Sequence, residues 1–367
     1  MTAATRSRPL KILHIDPERK WGGGEEQVLG LIARLAKKGH QSHLLTDRRG
    51  RLFERSQEIG ITTIPIRVAN DLDVRPVPRL RRLICRERYD IVHLHTKRAH
   101  ALSLWLPRVQ GLPKYVVTRR MDYPEPDNWY THLLYNRRVD GVVAVSGAIA
   151  DLLAKAGVEK SKIRLIHSGV DLQKFDSYQP IPPPSADVPV IGTAAVLEER
   201  KGHSYLLQAA LSLKKQGVRL RYRIAGDGSL KGELQELALT LGLKEDFEFL
   251  GFVSDIPGFL SAIDIFVLPS LHEGLGGSVL EAMAAGKPAV VSRVGGLVDS
   301  VVDSTTGFLV APGDVEGIAG AIRKLLHDRA MAEAMGKRGA ERVRDHFTMQ
   351  QMADKNEAYY YALLGAI

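Results

Sequence analysis

The sequence predicts an α/β protein made of two Rossmann-like domains, each a parallel sheet flanked by helices. Three observations carry that prediction. Short apolar runs alternate with helical stretches along nearly the whole chain. Glycine-rich loops stand where strand gives way to helix in both halves, and a proline-rich stretch, QPIPPPSADVP, separates the halves near Pro184.

At 367 residues the chain has room for two domains that each bury a core. Its 44% apolar and 25% charged residues are those of a globular protein, and no biased tract points to disorder. The one cysteine, Cys85, excludes an intrachain disulfide and fits a reducing compartment. The opening, MTAATRSRPLKILHI, has no apolar stretch before its first strand and does not read as a signal peptide. No run of about 18 uninterrupted apolar residues occurs, so no spanning helix is expected and the expected location is cytoplasmic. Net charge is +9, but residues 1–186 hold 32 Lys and Arg against 19 Asp and Glu, and the remainder 19 against 23. The basic half is the one expected to meet an acidic partner: nucleic acid, an anionic membrane surface or a phosphorylated acceptor.

In the first half, KILHI reads as a strand, DPERKWGGG as a loop, EEQVLGLIARLAKKG as an amphipathic helix and HQSHLLT as the next strand. Gly22, Gly23 and Gly24 then offer backbone N–H groups at the strand end. The G-x-G-x-x-G spacing of a dinucleotide site is absent, and Asp47 alone would have to serve a ribose. NDLDV contains Asp71 and Asp73 in a D-x-D pattern that can hold a divalent ion. It precedes the Arg-rich, Pro-broken RPVPRLRRL, and a solvated loop is the expected setting. YDIVHLHTKRAH ends a strand with His93 and His95 on one face, a metal-compatible pair without an obvious third ligand. KYVVTRR ends in Arg119 and Arg120, which suit a phosphorylated or carboxylated acceptor and equally suit plain surface charge. ALSLWLPRVQGL and NWYTHLLYNRRV mix aromatic residues with arginines; packing is the default reading, and Trp105 and Trp129 are the places to look for membrane contact. GVVAVSGAIADLLAKAG gives a strand and a helix with Ser146 as N-cap.

Beyond the linker, PVIGTAAV, LEERKG, the helix HSYLLQAALSLKKQG and VRLRYRIAGDG repeat the strand–loop–helix–strand theme. Arg200 and Lys201 fall at the loop-to-helix turn, where open α/β sheets bind ligands, and their charge would neutralise a diphosphate. DIFVLPS, LHEGLGG, SVLEAMAA and PAVVS form a further βαβ unit, its helix ended by Gly286 and Pro288. Gly276 and Gly277 let an anion approach the helix start. Glu273 and Glu281 flank that point, and carboxylates accept from paired hydroxyls. A phosphate between sugars, as in a nucleotide sugar, fits this set; the plainer alternative is that Ser278 and Glu281 form a capping box.

The run PSLHEGLGGSVLEAMAAGKPAVVSRVGG resembles the signature of the retaining glycosyltransferase family of GT-B fold (glycosyltransferase family 4, group 1), with Glu273 and Glu281 at its glutamate positions. The loop Trp21–Glu25, the IHSGVDLQKF segment, RKG at 200–202, FLGFVSD and TTGFLVAPGD resemble the family more weakly or in part. The family's histidine after KYVVT is absent, and Ala195 stands where many members carry an arginine.

The resemblance implies two domains facing across a cleft: 1–184 for the acceptor, and 185–345 for the nucleotide sugar. A C-terminal helix, about 346–367, packs back on the first domain. It implies transfer of a hexose-type sugar from a UDP- or GDP-sugar to a glycan or lipid-linked acceptor, with retention and without metal or cofactor. The expected setting is cell-envelope polysaccharide or lipopolysaccharide synthesis, with peripheral contact to the inner membrane face. Arg200, Lys201 and Glu273 are the expected catalytic set. Gly23, Gly24, Val253, Glu273, Gly274, Gly276, Gly277 and Glu281 are expected to bind the donor, and His95, Arg119 and Arg120 the acceptor. A sugar-nucleotide epimerase, a nucleotide-cofactor oxidoreductase and a nucleic-acid-binding protein are the competing classes; the last lacks a recognisable recognition module, so no nucleic acid is expected. The oligomeric state is left open.

Overall fold

The computed structural model of this chain describes residues 8–108, 113–176 and 188–365. The chain divides into two compact units, one of Met1–Gly169 with Met349–Ile367 and one of Val170–Thr348. Pro184 lies outside the described residues. The crossing falls earlier, at Gly169 and Val170, because Val170 donates its N–H to the Phe347 carbonyl (2.8 Å) and bridges Thr348, joining this segment to the second unit.

Among the described residues the first unit holds seven strands: β1 (Lys11–Ile15), β2 (Gln41–Thr46), β3 (Thr62–Pro65), β4 (Ile91–Leu94), β5 (Lys114–Arg119), β6 (Gly141–Ala144) and β7 (Ile163–Leu165). They form one sheet in the order β3-β2-β1-β4-β5-β6-β7, and every pairing is parallel. Central strands such as β4 and β6 are buried at every position, which is why they read as continuous apolar runs.

The second unit holds β8 (Val190–Ala194), β9 (Arg221–Ala225), β10 (Phe247–Gly251), β11 (Ile265–Leu268), β12 (Ala289–Ser292) and β13 (Gly307–Val310), in the order β10-β9-β8-β11-β12-β13. Both sheets therefore reverse direction beside their first strand, between β1 and β4 and between β8 and β11. Loops leave the two strands to opposite sides there and open a crevice at their carboxyl ends.

Side-chain caps start several helices: Ser146 accepts from the Ile149 N–H (3.3 Å), as its position predicts, and Asp314 from Gly317 (2.8 Å). The helix Gly277–Ala284 ends at Gly286, whose φ of +72° lets it and Lys287 return their N–H groups to Met283 and Ala282. NDLDV lies in turns, as expected, whereas RPVPRLRRL, read as Pro-broken, is helical over Val77–Glu87, because Pro78 sits in the first turn, where a missing N–H costs nothing.

The C-terminal helix Met349–Leu364 belongs to the first unit. Met349, Met352, Tyr359, Tyr360 and Tyr361 join Leu10, Ile12 and Leu31 in its core. Gly30 makes room for Met349, and Gly141 for the Tyr359 ring. Among the described residues no helix is long and apolar enough to cross a membrane.

Candidate active site

In the second unit, the chain leaves β8 and passes through a single turn, Glu199–Lys201, into the helix His203–Lys215. Gly202 sits between them at φ +66°, and a Cβ there would collide with the Pro269 carbonyl of the neighbouring loop. That loop, after β11, is tied to the same turn: the Arg200 carbonyl accepts from the N–H groups of Leu271 (2.8 Å) and His272 (3.3 Å). Backbone contacts thus fix Arg200, Lys201 and Glu273 relative to one another before any side chain is considered.

Lys201 and Glu273 are both nearly buried, and the Lys201 ammonium donates to Glu273 Oε2. Ser270 Oγ donates to the same oxygen at 3.3 Å. Arg200 pairs with Glu198 at 3.0 Å and keeps about a quarter of its side chain exposed. Glu273 also accepts the Gly296 N–H through its carbonyl (3.0 Å). A carboxylate held this way keeps one fixed orientation at the end of the β11 loop.

The loop ends at Gly276, in the left-handed region at φ +87°, where a Cβ would strike Leu297. Gly276 is itself the N-cap of Gly277–Ala284, without any side-chain cap, so the capping-box alternative falls: Ser278 lies inside the helix, not at its cap. Gly277 is exposed, with open space where a Cβ would stand. The first N–H groups of this helix thus meet solvent through bare backbone, a setting for an anion. Gly274 is buried, Glu281 half-buried just past the first turn, and Val253 half-buried beyond β10. Ala195 follows β8 under Gly226 (φ +147°), where a Cβ would meet the Ala195 carbonyl.

Gly23 and Gly24 belong to the first unit, in the opening turn of the helix Gly23–Lys37. Gly24 lies under the Arg120 side chain; a Cβ on it would stand 3.7 Å from Arg120 Cδ. Arg120 donates to the His95 carbonyl (3.0 Å) and reaches His95 Nδ1 (3.4 Å). His95 Nε2 in turn faces His14 Nδ1 at 3.0 Å, so neither ring nitrogen of His95 is left over for a ligand. Arg119 is committed as well, to Glu125 (2.8 Å) and the Tyr123 carbonyl (2.8 Å).

His14, His93 and His95 bring ligand nitrogens within 4.8 Å of one another. His14 is the third member that sequence reading missed, although it pairs directly with His93 in the β1–β4 register. The set is nonetheless built for hydrogen bonding. His93 meets the Tyr360 hydroxyl and the Thr118 hydroxyl, each at 2.6 Å, and Arg120 adds a positive charge beside it. Burial holds His14 down to about 3 and pushes His93 and His95 well below the ordinary histidine range. All three are neutral at pH 7.

Sequence reading also missed Asp16, just past β1 on the same face as His14. Burial first, then the Glu25 charge, pushes its carboxyl up to about 7, while Arg120 acts in the opposite direction. Glu25 is raised by burial too. One guanidinium thus serves two carboxyls. Asp73, of the D-x-D pattern, accepts from Arg75 (2.7 Å) and the Ala69 N–H (2.8 Å), which makes it a turn-forming residue.

Two parallel sheets of reversed order, with glycine-started helices and a lysine–glutamate pair at a crevice, define the GT-B class of glycosyltransferase fold. Known proteins agree. Residues 21–174 match the model of Glycosyltransferase Family 4, and residues 175–342 that of Glycosyl transferases group 1. A lipopolysaccharide core biosynthesis glycosyltransferase, LpsE of Rhizobium meliloti, is 31% identical over 345 residues, covering 91% of this chain and 94% of the relative. An Escherichia coli UDP-Gal:alpha-D-GlcNAc-diphosphoundecaprenol alpha-1,3-galactosyltransferase is 27% identical over 78% of this chain and 79% of its own. Among solved structures, a glycosyltransferase from Rickettsia africae superposes with a TM-score of 0.85 at 22% identity, covering 98% of this chain and 99% of its own. Anabaena Alr3699/HepE in complex with UDP and glucose does so with 0.80 at 22%, covering 98% and 100%. The chain belongs to this glycosyltransferase family, and the epimerase, oxidoreductase and nucleic-acid alternatives receive no support from these relatives.

Proposed function

We propose that the protein transfers a sugar from a UDP- or GDP-sugar to a glycan or lipid-linked acceptor in cell-envelope polysaccharide or lipopolysaccharide synthesis, with retention of anomeric configuration. The observation that carries the donor site is the pairing of Lys201 with Glu273 across the β8 and β11 loops, beside a helix that starts on bare glycine backbone. In this reading the diphosphate rests against Gly276 and Gly277, and Lys201 and Arg200 carry the charge that develops on it as the glycosidic bond breaks. Glu273, held by Lys201 and Ser270, orients the donor sugar, and Glu281 the ribose. Gly274 and Val253 complete the donor site, Val253 through backbone groups beside the base. The departing phosphate oxygen takes the acceptor proton on the face it leaves, which gives retention without a protein nucleophile. The cations take the part a divalent ion would otherwise play, so no metal or cofactor is required.

Acceptor recognition falls to the strand ends of the first unit. There the reading changes in emphasis: with Arg119 and Arg120 matched to carboxyl and backbone groups, half-buried Glu25 is the side chain assigned to a hydroxyl-bearing acceptor, while His95 acts as the positioning residue for Arg120. In support, one relative is named for lipopolysaccharide core biosynthesis and another for a UDP-Gal donor and a diphosphoundecaprenol acceptor. A cytoplasmic location, with the basic half toward the inner membrane face, belongs to the same reading.

The test is a panel of UDP- and GDP-sugars offered with envelope glycans or lipid-linked acceptors in chelator-treated buffer, with the product anomer read by NMR. One donor giving a new glycoside of unchanged configuration supports the proposal. Inverted product, or turnover only with added metal, overturns the retention or the metal-independence.

A further inference from the structure

The loop at residues 121–128 leaves the carboxyl end of β5, the end to which acceptor recognition is assigned above, and leads into the short helix Trp129–His132. Its backbone is tied down. Arg119 donates to the Tyr123 carbonyl (2.8 Å) and pairs with Glu125 (2.8 Å), and both charged side chains are nearly buried. Asn128 Oδ1 accepts the Thr131 N–H (2.9 Å), Asp127 meets His132 at 2.6 Å, and Pro124 and Pro126 stiffen the chain.

What this frame displays is bare aromatic surface. Trp129 is 76% exposed and Tyr123 44%, two of the four exposed aromatic side chains among the described residues. Acids border them: residues 121–128 contain Asp122, Glu125 and Asp127 and no lysine or arginine. Asp71, of the D-x-D pattern, stands on a neighbouring loop. The Tyr130 phenol, raised first by burial, also feels the Asp71 and Glu125 charges, and its ring lies 5.8 Å from that of Trp129.

We propose that this loop is a sugar-binding subsite for the acceptor: the Trp129 indole stacks on the apolar face of a pyranose ring, Tyr123 offers a second ring face, and the carboxylates beside them accept from the ring's hydroxyls. A pyranose has that double character, with C–H bonds on its faces and hydroxyls around its edge, and an aromatic face beside carboxylates matches both. A frame that is stiff before contact loses little freedom on binding. The acids decide against the other occupants. They would repel an anionic bilayer, and a second copy meeting this loop about a two-fold axis would set acid against acid. The inference rests on the acceptor reading and narrows it: the acceptor already carries a sugar, so an earlier glycosyl transfer must supply it.

The experiment uses the full chain labelled with fluorotryptophan, its three resonances, from Trp21, Trp105 and Trp129, assigned by single Trp→Phe substitutions. Fluorine NMR spectra are recorded with methyl glycosides of glucose, galactose, mannose and N-acetylglucosamine, without nucleotide. The expected result is a saturable shift of the Trp129 resonance with at least one glycoside, those of Trp21 and Trp105 staying in place. Trp129→Ala should weaken that glycoside about three- to tenfold, read by saturation-transfer NMR, and Trp129→Phe, which keeps a ring face, should restore most of the loss. Unchanged Trp21 and Trp105 resonances in Trp129→Ala show that the first unit is still folded. A Trp129 resonance that no glycoside moves overturns the proposal, as does equal glycoside affinity in the parent and Trp129→Ala. A shift produced by phosphatidylglycerol vesicles, or by raising protein concentration, but by no glycoside overturns it too, in favour of a lipid surface or a second copy. UDP binding to the same protein, followed by calorimetry, tests the donor site separately: a silent Trp129 with UDP bound leaves the transfer reading standing, and failure of UDP to bind leaves the sugar result readable.

Discussion

The two units share one sheet order, yet their strand-end chemistry is opposite in kind. In the second unit the groups at the crevice are oppositely charged and engaged with one another, Lys201 with Glu273 and Arg200 with Glu198, around a helix start stripped of side chains. In the first unit the corresponding ends hold three neutral histidines, one guanidinium and two carboxyls raised by burial. The same scaffold thus supports a fixed electrostatic cradle in one place and a buried, low-charge hydrogen-bonding cluster in the other. Such a division fits a donor that always carries a diphosphate and an acceptor recognised by hydroxyls.

The contrast breaks most readily at Lys201. Lys201→Ala is expected to cut turnover about 10²–10³-fold, since it removes a preorganised cation and frees Glu273 to move; a steady-state rate near that of the parent would show that the pair is structural. Next comes Glu281→Ala, expected to weaken UDP binding by about tenfold with little change in the chemical step. Calorimetric titration separates it from Arg120→Ala, which should leave UDP affinity alone and raise the acceptor KM.

A smaller effect concerns proton linkage in the first unit. Asp16 has a folded-state pKa of about 7 against an ordinary value near 3.8, so the folded state binds the extra proton between those values. Its stabilising contribution is complete below about pH 4 and is lost as pH rises through 7. Asp16→Asn, which mimics the protonated form, is therefore expected to raise the melting temperature at pH 8 by a few degrees and to change nothing at pH 4. The buried histidines work in the other direction: held below their unfolded value of 6.5, they cost stability as pH falls beneath it. Tyr360→Phe should be the mildest change, costing about 1–3 kcal/mol by leaving His93 Nδ1 without its partner, readable by urea denaturation.

Much of the second unit was legible in the sequence because its signals are local. Gly276 is a conformational necessity at a strand-to-helix turn, and Arg200 and Lys201 precede a glycine whose position permits the close crossing of two loops. The first unit was harder to read. His14 and Asp16 at the end of β1, Thr118 on β5 and Tyr360 on the C-terminal helix lie on three separate elements, and only the β1–β4–β5 pairing with the return of the C-terminal helix brings them together. Arg119 and Arg120 read in sequence as anion receptors or as plain surface charge, but each is engaged by neighbours that spacing does not reveal. The arginine helix was missed for a local reason, since two prolines read as breakers when one of them occupies a first-turn position.

The account stands on the diphosphate lying at the start of the helix Gly277–Ala284. A crystal structure with UDP bound measures this directly. The account predicts phosphate oxygens within hydrogen-bonding distance of the backbone N–H groups at the opening turn of that helix, Lys201 and Arg200 beside them, and Glu281 on the ribose. A nucleotide seated elsewhere, with that turn and Lys201 untouched, would contradict it.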